Sequence, residues 1–175
     1  MDKNKCDLLI KKAQKLVSKY LGRKYDIDIL EKYLRICISL EFKYLYNKQD
    51  YEYSPGYFDF SNFPLGVIEG TKELREEGLP HRFLLLSGYS DDAGSIFMET
   101  QDDPEKPSPI YWCDAEDVYN LCEEGVFKYN PTVWASFTDF FEYLVNEEEK
   151  RQLEEGRLKT PIKIEEEKMI QDELF

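Results

Sequence analysis

Residues 78–100 read GLPHRFLLLSGYSDDAGSIFMET. An apolar run, Phe83–Leu86, lies between Gly78-Leu79-Pro80 and a turn-rich stretch from Ser87 to Gly94, and a second apolar run, Ile96–Met98, follows at once. Short apolar runs bounded by Gly, Pro, Ser and Asp are the pattern of strands, and two of them joined by such a tip read as a β-hairpin. The spacing predicts strands near 82–87 and 95–99, then near 109–113 and 126–129. Before Pro80 the periodicity is helical, and after Ala135 it is helical again. Helices, then strands, then a helix is the order of an α+β domain, here with a mixed, mostly antiparallel sheet packed by helices.

Working outward, Leu9, Ala13, Leu16, Val17 and Tyr20 recur at spacings of three and four, which predicts an amphipathic helix over 5–21 that Gly22 ends. A second helix is expected from Asp28, with Glu31 reaching back as a capping partner, to about Asn47. The stretch 49–64, QDYEYSPGYFDFSNFP, holds six aromatic residues around Pro55-Gly56 and reads as a long loop whose rings fold onto the core. A helix near 67–77 stops at Gly78. The connection QDDPEKPSP at 101–109 is acidic and stiffened by three prolines. A last helix starts where Ser136 and Asp139 resemble a capping pair, with Phe140 and Leu144, and Phe141 and Val145, stacked at four-residue intervals. Beyond Asn146 the chain is charge-rich, and a frayed or solvated helical tail is expected. The reading is a single domain: 1–64 as N-terminal helices and an aromatic loop, 65–146 as the α+β core, and 147–175 as a charged tail.

The chain of 175 residues has a net charge of −13, unevenly placed. Residues 1–24 sum to +6 and the remainder to −19, and the segment 91–124 alone carries eleven acids against the single base Lys106. Nucleic-acid binding requires clustered Lys and Arg to displace counterions from phosphate, so this balance argues against it. A concentrated negative field suits a basic protein partner. Cys6, Cys37, Cys113 and Cys122 form no CxxC pair and no metal-ligand rhythm, and read as buried thiols of a reducing compartment. No signal-peptide core and no apolar run near ~20 residues is visible, which places the protein in the cytosol and off the membrane.

Catalytic motifs are missing. His81 is the single histidine, next to Pro80, with no nucleophile elbow around it, so it reads as a surface residue and a multi-histidine metal site is excluded. The glycines fall singly, with neither GxGxxG nor GxxxxGK[ST]. DDAGSIFMETQDD lacks the spacing of a calcium-binding loop. The expectation is therefore no enzyme, no catalytic residue, no metal and no cofactor, with carboxylate or divalent-metal chemistry as the competing class.

Three stretches carry a family resemblance. EEGLPHRFLLLSG (76–88) has a Leu-Pro followed by an aromatic-aliphatic strand. SIFMETQDDPEKPSPIYWCDAEDV (95–118) has a strand, an acidic loop and the stretch Pro109-Ile110-Tyr111-Trp112-Cys113-Asp114, set against a family strand of the form Pro-Val/Ile-x-x-Trp-Asp. WASFTDFFEYLV (134–145) has a Ser-Phe-x-x-Phe-aromatic helix. Together, over 67–145, they resemble the SUKH superfamily, named partly for the Smi/Knr-type regulator of cell-wall glucan synthesis and populated mainly by bacterial immunity proteins. One departure is Ser87-Gly88-Tyr89, where many members have Asn-Gly. The resemblance implies a protein that neutralises a cognate toxin, often a nuclease or deaminase with a basic surface; the alternative it carries is an intracellular regulator or scaffold of the Smi/Knr type. On this reading Asp91, Asp92, Asp102 and Asp103 stand at one end of adjacent strands and steer the encounter, together with Glu99, Asp114, Glu116 and Asp117. Trp112 with Tyr111 offers an aromatic anchor, although strand alternation sends one of the two into the core. Trp134 is expected to pack. The sequence leaves the toxin and the oligomeric state open.

Overall fold

The computed structural model describes residues 1–16, 26–48, 64–90 and 94–164. The aromatic loop at 49–63 and the acidic tip Asp91-Asp92 lie outside the described residues, as do 17–25 and the last eleven positions. The elements are α1 (Lys3–Leu16), α2 (Asp28–Leu34), α3 (Leu40–Lys48), α4 (Leu65–Glu76), β1 (Phe83–Ser90), β2 (Gly94–Glu99), β3 (Ile110–Cys113), α5 (Ala115–Glu124), β4 (Thr132–Trp134) and α6 (Phe137–Glu154). The fold is α+β, as expected. The sheet is antiparallel throughout, in the order β1-β2-β3-β4.

Strand alternation divides the sheet's side chains between two cores. Leu84, Leu86, Ile96, Met98 and Ile110 face a large cluster with α1, α2, α3, α4 and α6, where Phe42, Phe140 and Phe141 are buried. Phe83, Leu85, Phe97 and Cys113 face the other way, onto Val118 and Leu121 of α5. Apolar side chains on both faces explain why FLLL and IFM are unbroken runs instead of alternating with polar residues.

α4 flanks the free edge of β1. Thr71, fully buried, accepts the Leu85 N–H through its hydroxyl at 3.0 Å, at a point where the β1–β2 register shifts. Gly78 then takes φ +110 and lets the chain turn, and a Cβ there would stand 2.4 Å from the Cys122 carbonyl oxygen, so α4 can end this close to α5 only with glycine. The predicted stop at Gly78 holds.

Three predicted elements change. The helix expected over 28–47 is two helices, because Arg35 adopts the left-handed conformation and ends α2. Glu31 does not reach back; it accepts the Ile38 N–H at 2.8 Å and pairs with Lys43, and so orders the chain leading into α3. The strand expected at 126–129 falls instead at Thr132–Trp134, and α5, which the reading omitted, precedes it. Finally, α6 does not fray after Asn146. It runs to Glu154, buries Glu148 and Gln152, and the following chain packs Leu158 and Ile162 on the larger core.

Candidate functional site

α1 carries five lysines against one acid, Asp7, and α6 faces it. Lys5 pairs with Asp139 at 3.0 Å and Glu142 at 2.8 Å, Lys12 pairs with Glu149 at 2.8 Å, and Lys12 also donates to Asn146. The hydrogen bond to Glu142, followed by that to Asp139, raises the Lys5 pKa, so this ammonium stays charged. The asymmetry between the basic N-terminus and the acidic remainder is thus partly met inside the molecule.

The acids of 99–124 divide into buried and outward groups. Glu99 is half-buried on the α5 face of the sheet, where it accepts the Tyr111 hydroxyl at 2.6 Å and pairs with Arg82 at 3.1 Å. Tyr111 is wedged among Phe83 and Phe127, stacked on the latter at 4.9 Å, and burial together with the Glu99 hydrogen bond pushes its pKa up to about 12. Asp117 is only 2% exposed. One of its oxygens accepts the Lys128 N–H at 3.0 Å and the Tyr129 N–H at 2.9 Å, tying the 125–129 segment to α5. Asp114 caps α5 by accepting the Asp117 N–H at 3.0 Å. Asp103 orders its own turn by accepting the Glu105 N–H. Asp102, Asp103, Asp114 and Glu116 are exposed.

Their placement corrects one expectation. The segment 91–93 joins Ser90 to Gly94 at one end of β2, whereas Asp102 and Asp103 follow Glu99 at the other. A hairpin strand carries the chain from one end of the sheet to the other, so the two Asp pairs attach to opposite ends. At the Gly94 end the neighbours are Asp114 and Glu116, because Ser95 pairs with Cys113. The Asp102–Asp103 loop lies instead by the α2–α3 junction, where the Leu40 N–H donates to the Pro104 carbonyl at 2.8 Å.

Of the two aromatic anchors, Tyr111 is the packed one and Trp112 the outward one, at 44% exposure. Gly94, with φ +74, lies under the Trp112 indole; a Cβ there would meet Nε1 at 2.8 Å. Trp134 is half-buried, with its ring against Phe140 and Tyr143 at 4.9 and 5.0 Å, so it packs as expected. The sequence reading missed Val126, Tyr129 and Val133, each about half exposed, in the segment from the end of α5 through β4. Their signal was present as apolar residues in the 125–138 stretch, but the strand expected at 126–129 took in Val126 and Tyr129 with no reading of their exposure, and left Val133 outside any element.

His81 is exposed, and its carbonyl accepts a hydrogen bond from Arg75. The four thiols are unpaired; Cys6 and Cys113 are buried, Cys37 and Cys122 half-buried, and burial raises every one, Cys113 to about 12. Among the described residues, no three His, Cys, Asp or Glu side chains gather into a group that could hold a metal. No described helix is long and apolar enough to cross a membrane. Comparison with protein-family models, with curated proteins and with solved structures finds no match.

Proposed function

We propose that this protein is an immunity-type binding protein that neutralises a cognate toxin domain in the cytosol, and that the toxin, a nuclease or another enzyme with a basic surface, docks on its acidic side. The observation that carries the reading is the direction of the charge. Lysines of α1 are paired with acids of α6, while Asp102, Asp103, Asp114 and Glu116 project from the two ends of the sheet. Such a surface accelerates encounter with a cationic protein and can occupy the groove in which that protein would hold a nucleic acid. The likeness of residues 67–145 to the SUKH superfamily supports the toxin as the partner class.

The test is co-purification with the product of the adjacent upstream gene, followed by the dissociation constant at two salt concentrations. A 1:1 complex that weakens at least several-fold between 0.05 and 0.3 M salt, and that abolishes the partner's toxicity, is expected. Binding indifferent to salt would refute the electrostatic mode, and absence of any complex would refute the immunity reading.

A further inference from the structure

The two edges of the sheet are treated differently. On the β1 side, α4 lies alongside and Thr71 takes up the Leu85 N–H. On the β4 side, among the described residues, no backbone hydrogen bond beyond the β3 pairing reaches Thr132, Val133 or Trp134. An antiparallel edge strand points alternate N–H and C=O groups away from its neighbour, and natural proteins usually cover such edges or place charges on them. This one has Pro131 before it and only three residues, which limits its reach.

It also has almost no charge. In a chain with 36 acids and 23 Lys or Arg, positions 125–138 contain one charged residue, Lys128. Val133, 52% exposed, stands on the α5 face beside Tyr111, its partner on β3; Trp112, paired with Thr132, is exposed on the opposite face. Tyr129, exposed to the same degree as Val133, donates its hydroxyl to Glu116 at 3.0 Å. Depletion of charge around exposed aromatic and aliphatic side chains is the composition of an interface core, and here the rim beside it is acidic, through Asp114 and Glu116.

We infer that β4 is a strand-addition site, which pairs with an extended segment of a cationic protein: backbone groups join the open edge, Val133 and Trp112 receive alternate apolar side chains, and the rim acids meet the segment's basic residues. A second copy of this chain fits less well, since it would bring its own net charge of −13 to the same rim. This assignment rests on the proposed binding of a basic partner and says where on the molecule it engages.

The test needs no identified toxin. The full chain, labelled with nitrogen-15, is titrated to millimolar concentration with a nine-residue peptide of alternating lysine and valine, and with the same peptide carrying glutamate for lysine. Expected are amide shifts at Thr132–Trp134 and in the Trp112 indole N–H with the lysine peptide only, weakened several-fold at 0.3 M salt. Val133→Lys should abolish them and Val133→Thr should keep them, with the remaining spectrum of each variant unchanged. No shift at β4, shifts confined to the Asp102–Lys106 loop, or equal shifts with both peptides would overturn the assignment. A concentration-dependent dimer that Val133→Lys converts to monomer would overturn it in favour of a second copy. Failure of the neighbouring gene product to bind, with the peptide result intact, would instead count against the toxin reading alone.

Discussion

Asp117 carries its carboxylate into the protein because three local needs meet there. It is in the first turn of α5, where negative charge opposes the helix dipole, its own N–H is capped by Asp114, and two otherwise unpartnered amides of the following loop point at it. Replacement by Ala removes the charged acceptor of the Lys128 and Tyr129 N–H groups, and a hydrogen bond to a charged group contributes ~1.5–3 kcal/mol. Asp117→Ala is therefore expected to lower stability by about 2 kcal/mol or more, read as a reduced urea midpoint at constant slope. Asp117→Asn keeps a carbonyl oxygen and should lose less than half as much; equal losses would mean that the acceptor is not what matters. Tyr111 gives a pH-dependent counterpart. Its pKa rises from 10.0 to about 12 through burial and then through the bond to Glu99. Above pH 10 the unfolded chain releases this proton and the folded one holds it, so the contribution is complete below pH 10 and is lost as pH climbs through about 12. Tyr111→Phe should flatten the fall of Tm between pH 10 and 12; a slope equal to the wild-type one would place the alkaline loss in other groups.

At the scale of elements, the legibility of the sequence depended on whether one residue did one job. The helical faces of α1, α4 and α6 and the first three strands could be read because most of their apolar residues serve packing. α5 escaped notice although Asp114, Val118, Leu121 and Gly125 spell a cap, a periodic face and a stop, because its acids were counted as surface charge. Val126-Phe127-Lys128-Tyr129 reads like a short strand, yet the Lys128 and Tyr129 N–H groups already belong to Asp117, and the pairing with β3 falls at Thr132–Trp134. The charged run after Asn146 deceived in the same way. Gln152 is buried and donates to the Leu16 carbonyl at 2.7 Å and to Glu148 at 2.6 Å, so the last turns of α6 bind the C-terminal end of α1. Gln152→Ala is expected to cost ~1 kcal/mol and to raise hydrogen exchange selectively in the last turn of α1. Uniform exchange across both helices would show that the link is not local.

For the molecule as a whole, the distribution of acids along the sheet sets the field that the proposed basic partner would meet. A strand rises ~3.4 Å per residue, so the six residues of β2 hold the Gly94 end, with Asp114 and Glu116, about 17 Å from the Glu99 end, with Asp102 and Asp103. The screening length is about 8 Å at physiological salt and about 30 Å at 0.01 M. At 0.15 M a docking partner therefore feels only the end it approaches, whereas at 0.01 M it feels both. With β4 as the docking edge, the near acid is Glu116, which sits by Tyr129. Stopped-flow association of the proposed toxin partner should then slow several-fold for Glu116→Gln at 0.15 M and be unchanged for Asp102→Asn combined with Asp103→Asn. At 0.01 M both variants should slow it. The reverse order at 0.15 M would move the docking surface to the far end of the sheet, by the α2–α3 junction, and would leave β4 a blunted edge with no partner.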